Sequence, residues 1–374
     1  MRRAAGRSRP LEGVQPSGRG VMYTRRTFAQ TCAGAAAIIA LPTVARQRET
    51  VNRRTLPRSG EALPTVGLGS FMTFDLLPGA DRSHLARVLQ TYVEGGSSVV
   101  DTSPLYGMGE INVGDLSAML DYGGDRLWTA TKVWETGDYL GDASRARQSL
   151  DRSLQRLWRS RIDAVQVHSL VNVDTVLPRL KEWKQQGLIR HIGVSHHDET
   201  YFEPMAQWIA KGELDIVQLH YSIAMREAEK RLLPLAADKG VGVLVNMPFE
   251  KARLFSLVGS RPVPDFAREI GIADWSEYFL KWVIGHPAVT CALCATSVPA
   301  HAAENIAALR GEIPDAALRR RMLQHVEGLP GFDRLLREPW YPGKRYPGVV
   351  ARAQQARPST NPAENAIAPA RRHR

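Results

Sequence analysis

Eight short apolar runs, each followed by a stretch with helical spacing, limit the folds open to this chain. The runs read TVGLGS (65–70), SSVVDTS (97–103), LWTATKV (127–133), IDAVQVH (162–168), IRHIGVS (189–195), DIVQLHY (215–221), VGVLVN (241–246) and VTCALCA (289–295). Several are continuously apolar rather than alternating, as strands covered on both faces are. Between them lie amphipathic stretches such as SHLARVLQTYVEGG, which stops on a glycine pair, SRARQSLDRSLQRLW and REAEKRLLPLAADKG. The last predicted helix starts near Pro299, in PAHAAENIAALR. Repeated strand–helix units require parallel strands, in a doubly wound sheet or a closed barrel. Eight units favour an α/β chain folded as a (β/α)8 TIM barrel. Just upstream, TLPRSGEALP reads as a short N-terminal hairpin turning at Ser59-Gly60. The chain has 374 residues, 44% of them hydrophobic, enough to build one barrel domain over residues 51–330.

In a barrel of this kind the chemistry sits at the carboxyl ends of the strands. Here those ends carry Asp101, Lys132, His168, Ser195, Gln218 and Asn246. A buried strand has no structural need to finish on charge, so the bias points to a site. Tyr106 follows Asp101 in DTSPLYG, where Pro104 and Gly107 set a turn. An unperturbed phenol titrates at about 10. A neighbouring ammonium favours the phenolate and is expected to lower that value. Asp101 would keep Lys132 charged and oriented, and His168 can donate a hydrogen bond to a carbonyl oxygen. Together these groups can polarise a C=O and protonate it as hydride reaches the carbon. The set contains no nucleophile–base pair. His196 and His197 are neighbours without a Cys or carboxylate partner, so a non-metal site is expected.

The chain resembles the aldo/keto reductase family through LPTVGLGSF (63–71), VVDTSPLYGMGE (99–110), TATKV (129–133), VQVHS (165–169), GLIRHIGVS (187–195) and DIVQLHYS (215–222), a match running from about residue 55 to 310. The resemblance implies NADP(H) bound across the barrel mouth and an aldehyde or ketone substrate. It implies Tyr106 as proton donor, Lys132 and Asp101 as the groups that tune it, and His168 as the residue that orients the carbonyl. It assigns the nicotinamide carboxamide to Ser195, His196 and Gln218, and the apolar substrate walls to Phe71, with Trp134 and Phe249 adding to them. Three positions depart from the family pattern. Asn246 stands where a Tyr often stacks on the nicotinamide. The phosphate-binding run after the eighth strand is Cys294-Ala295-Thr296-Ser297. His301 replaces an Arg that often reads the 2′-phosphate, although Glu304 and Asn305 follow as in the family. Hydroxyls of Thr296 and Ser297 beside a helix N-terminus can still hold a phosphate, with NAD as the alternative cofactor. A non-catalytic nicotinamide-sensing protein on the same fold is the competing function; the complete set of four favours the enzyme.

The formal charge of +11 invites a nucleic-acid reading, but its location argues against one. Residues 1–50 carry 9 Arg against 2 Glu, and residues 331–374 carry 9 Lys and Arg against 3 Asp and Glu. The body between them holds 31 Lys and Arg against 33 Asp and Glu. No nucleic-acid partner is expected. Residues 1–50 read as a leader with a twin-arginine-like export signal: Arg25-Arg26, Phe28, a short apolar run from Ala33 to Leu41, and small residues at Thr43 to Ala45. That implies passage through export machinery to the periplasm, or a cytoplasmic protein if the leader does not function. No apolar stretch is long enough for a stable membrane span. Residues 331–374 form a C-terminal extension, expected to be disordered from about Gln354 onward. Cys291 and Cys294 lie three apart in a β run, so their side chains face opposite ways and are expected to stay unbridged and buried.

Overall fold

The computed structural model describes residues 50–134 and 144–356. It opens on an antiparallel hairpin, β1 (Arg53–Thr55) and β2 (Ala62–Pro64), whose connection turns through Gly60 at φ +71°. Eight parallel strands follow: β3 (Val66–Gly69), β4 (Val99–Asp101), β5 (Trp128–Val133), β6 (Ile162–His168), β7 (Ile189–His196), β8 (Ile216–His220), β9 (Gly242–Asn246) and β10 (Val289–Ala295). They pair in chain order, and β10 returns to β3 to close the barrel. All eight expected strands are present, with bounds that move by no more than two residues at either end.

Two apolar layers hold the barrel. The inner one contains Val99, Trp128, Ala130, Ala164, Ile216, Leu244, Cys291 and Leu293, together with Leu56 and Leu63 of the hairpin region. The hairpin therefore plugs the amino end of the barrel. Glu61 fastens it there by accepting hydrogen bonds from Arg190 (2.7 Å) and the Trp128 indole (3.3 Å), and it pairs with His191 at 2.8 Å. The outer layer joins the strands to the helices and includes Leu68, Val100, Val133, Val165, Val194 and Cys294. Cys291 and Cys294 are thus buried, unbridged and in different layers, as their spacing implies.

Helices occupy the expected gaps, from Ser83–Glu94 after β3 to Pro299–Ala307 after β10. The stretch 226–240 differs. It splits into a short 3-10 turn at Glu227–Glu229 and a helix at Leu232–Asp238. Pro234 explains the break: it cannot donate a backbone hydrogen bond, so it sits in a first helical turn and not in an interior. A second difference lies beyond Ala307. Pro299–Ala307 is not the last helix, because Ala316–Glu327, a 3-10 segment at Phe332–Arg337 and a helix at Val349–Ala356 follow it. Leu335 and Ala351 of the extension are buried. The leader and export signal expected within residues 1–50, and nearly all of the expected disordered tail, fall outside the described residues. No helix among the described residues is long and apolar enough to cross a membrane.

Candidate active site

The pairing register places the polar strand ends side by side. Asp101 lies opposite Ala130, Lys132 opposite Gln166, His168 opposite Ser195, Ser195 opposite Gln218, and His220 opposite Asn246. Lys132 is buried, and its ammonium donates to both Asp101 carboxylate oxygens, at 2.7 and 2.8 Å, and to the Thr102 carbonyl at 2.8 Å. These three acceptors match the three N–H donors of an ammonium. Burial lowers the lysine and raises the carboxyl, but each partner's charge opposes that drift. The two-oxygen geometry is that of an ion pair.

Tyr106 stands on the turn after β4, where its amide donates to the Ser103 carbonyl at 3.0 Å and Gly107 adopts φ +60°. The Lys132 ammonium lies 5.0 Å from the centre of the Tyr106 ring, and the Phe71 ring meets Tyr106 edge-on at 4.9 Å. The sequence expectation of an acidified phenol needs correction. Burial pushes Tyr106 well above its usual range, and the Asp101 charge adds to the rise. The ammonium does not offset this because Asp101 neutralises it in place. Tyr106 is thus a phenol that burial holds in its protonated form.

His168 faces Tyr106 edge-on with ring centres 5.9 Å apart. Its Nδ1 lies 3.2 Å from Ser103 Oγ, which already accepts the Leu105 amide at 3.2 Å. With the Ser103 proton directed at Nδ1, the ring proton falls on Nε2, the nitrogen free to meet a substrate. Burial, then the Lys132 charge, holds His168 well below the usual histidine range. A depressed histidine destabilises the fold where the unfolded chain takes up a proton and the folded chain does not. Stability should therefore fall as pH drops below about 6.5. His168→Gln should reduce that acid-side loss, measured as the slope of Tm against pH; an unchanged slope would refute the assignment.

The cavity above these residues has a volume of about 810 Å³. Its walls include Asp101, Tyr106, Lys132, His168, Ser195, His196, Gln218 and Asn246, and all three expected apolar residues, Phe71, Trp134 and Phe249. Gln218 Oε1 and Asn246 Oδ1 are buried without a hydrogen-bond partner. An orphaned buried acceptor costs about 1–3 kcal/mol. A carboxamide entering here would offer N–H donors to both, so these residues fit the nicotinamide end of the cofactor.

The other expected cofactor residues, Thr296, Ser297, His301, Glu304 and Asn305, do not line that cavity. Thr296 Oγ1 accepts the Val298 amide at 3.1 Å, just before the Pro299–Ala307 helix. Ser297 and Glu304 are half-buried and His301 is exposed. Asn305 is turned into the core, where it donates to the Tyr92 hydroxyl at 3.0 Å and accepts from Ser276 at 2.7 Å. Sequence reasoning also missed a wall of the cavity. Tyr341, Val349, Val350, Ala353 and Gln354 of the C-terminal extension line it. The extension is fastened by Arg253, which donates to the Leu336 and Glu338 carbonyls at 2.7 and 3.3 Å, and by the Tyr341 amide, which donates to the Lys251 carbonyl at 2.9 Å.

A closed eight-stranded barrel with a phenol, an ion-paired lysine and a neutral imidazole at its carboxyl rim defines a class of barrel oxidoreductases. The chain belongs to the aldo/keto reductase family, whose profile matches residues 65–320. Among curated relatives, it is 27% identical over 321 residues to an NADH-specific methylglyoxal reductase of Escherichia coli (strain K12), covering 73% of this chain and 96% of the relative. It is 30% identical over 190 residues to the aldo-keto reductase YhdN of Bacillus subtilis (strain 168), covering 48% and 56% of the two chains. In fold it resembles an aldo/keto reductase from Klebsiella pneumoniae solved with NADP and acetate, with a TM-score of 0.62, 24% identity, and coverage of 74% of this chain and 96% of that one. The holo form of AKR11C1 from Bacillus halodurans gives a TM-score of 0.59 at 23% identity, with the same coverage.

Proposed function

We propose that this protein is an NADPH-dependent carbonyl reductase in which Tyr106 protonates the substrate oxygen. The observation that carries the reading is the Tyr106 phenol set edge-on to the His168 ring at 5.9 Å, beside a Lys132 whose donors are already satisfied by Asp101 and Thr102. A reduced nicotinamide, when bound, supplies the hydride. Gln218, Asn246 and Ser195 would hold its carboxamide. His168 Nε2–H orients the carbonyl oxygen, and Tyr106 transfers its hydroxyl proton to that oxygen, leaving an alcohol. Solvent then restores the phenol proton. Asp101 fixes the Lys132 ammonium 5.0 Å from the centre of the Tyr106 ring, so the phenolate formed in that step lies beside an ion pair and not a bare carboxylate. The largely apolar walls select aldehydes or ketones with a hydrophobic part.

NADH is the alternative cofactor, a reading favoured by the NADH-specific description of the E. coli relative and by His301 at the position where an Arg often reads the 2′-phosphate. The Arg25-Arg26 leader supports export by a twin-arginine route, which carries folded proteins and would let the cofactor travel bound. Loss of periplasmic protein in an Arg25→Lys/Arg26→Lys variant would support that route; unchanged distribution would remove it. The function itself is tested with purified protein, NADPH and a generic aromatic aldehyde. A shift in NADPH fluorescence together with steady cofactor oxidation is expected. Binding without turnover across a broad carbonyl panel would instead identify a nicotinamide-sensing protein.

A further inference from the structure

Asp75 is fully buried, lies in the loop after β3, and takes no part in the chemistry described above. Its two carboxylate oxygens serve different parts of the chain. One accepts the amide of Met108, two residues past Tyr106, at 2.9 Å. The other accepts the amide of Val350, in the first turn of the Val349–Ala356 helix, at 2.7 Å. The surroundings are built to this carboxylate. A Cβ on Gly107 would stand 2.2 Å from one Asp75 oxygen, and a Cβ on Gly348 would stand 2.1 Å from the Asp75 carbonyl oxygen. The loop is itself clamped, because Asn112 donates to the carbonyls of Phe74 and Leu76, on either side of Asp75, at 2.7 and 2.9 Å.

We propose that Asp75 is a positioning residue that couples the seating of the C-terminal helix over the cavity to the placement of Tyr106. The helix contributes Val349, Val350 and Ala353 to the cavity wall, and the turn held by the Met108 amide carries the phenol. One rigid carboxylate between them means that displacing either element removes a hydrogen bond from the other's anchor. Hydrogen bonds to a charged group are the stronger kind, so the coupling is large enough to measure. The inference rests on Tyr106 as proton donor only for its kinetic consequence; the mechanical coupling stands apart from it.

Coupling is reciprocal, so each end is perturbed and the opposite end is read. In the full-length chain, Gly348→Ala adds a methyl group against Asp75 from the C-terminal side, and Gly107→Ala adds one from the Tyr106 side. Amide hydrogen exchange is followed at Met108 in the first variant and at Val350 in the second. Each remote amide should exchange about tenfold faster or more, the scale set by loss of a charge-assisted hydrogen bond. With NADPH and an aromatic aldehyde, Gly348→Ala should lower kcat about tenfold or more while NADPH affinity is unchanged, since small misplacements of a reacting group are costly. Exchange that rises only on the substituted side, with kcat unaltered by Gly348→Ala, overturns the proposal. Wild-type protein that turns over no carbonyl removes the reductase reading, while the exchange data still decide the coupling.

Discussion

Tyr106→Phe is expected to lower kcat by about two to four orders of magnitude, the range general acid catalysis contributes, while NADPH affinity stays within about threefold of wild type. The substitution removes one oxygen and keeps the ring, so the edge contacts with Phe71 and His168 persist. The unpartnered acceptors Gln218 Oε1 and Asn246 Oδ1 in the cavity wall are untouched. The affected step is proton delivery alone, which is why the loss should appear in kcat and not in binding. Because the phenol is raised well above its usual range, it stays protonated through the neutral region. Reduction should therefore show no loss of rate from deprotonation of the free phenol between about pH 6 and 9. Steady-state kinetics with cofactor titration by fluorescence checks both statements. Retained turnover in Tyr106→Phe would exclude this residue as the donor.

The barrel and its rim can be read from the sequence because both are local signals. A strand covered on two faces is an apolar run, and a charged end such as Asp101 or Lys132 is an anomaly at a fixed place in it. The Asp101–Lys132 pair follows from residue type and strand position alone. The C-terminal wall does not. Val350 is tied to a carboxylate 275 positions earlier, and Leu336 to an arginine 83 positions earlier, so nothing near either residue announces its partner. Asn305 shows a related difficulty. A polar residue on a helix after the last strand looks available for a ligand, and only packing reveals that Tyr92 and Ser276 already engage both ends of its side chain. The protonation of Tyr106 depends on a balance no motif encodes. The same Lys132 lowers a nearby phenol when unpaired and has little effect when a carboxylate cancels its charge in place.

That cancellation yields the second large prediction. Lys132→Met should destabilise the fold by about 3–5 kcal/mol, the usual result of removing one member of a buried ion pair, and should also abolish turnover. The Asp101 carboxylate would be left buried without its cation, and the Thr102 carbonyl would lose its donor. Burial already raises the Asp101 carboxyl, so without Lys132 it should rise further. A carboxyl raised in the folded state binds its proton more readily folded than unfolded. The deficit is therefore largest where the unfolded carboxyl and the buried one are both ionised, and it shrinks as pH falls toward the unfolded value. Urea unfolding at about pH 7 and about pH 5 should show the variant recovering part of its lost stability at the lower pH. Adding Asp101→Leu to Lys132→Met removes the stranded charge and should restore most of the stability, because apolar replacement of a buried pair is often neutral. Turnover should stay lost in that double variant, since the ammonium fixed 5.0 Å from the phenol ring is still missing. Activity returning along with stability would mean that the pair serves only to hold the barrel together.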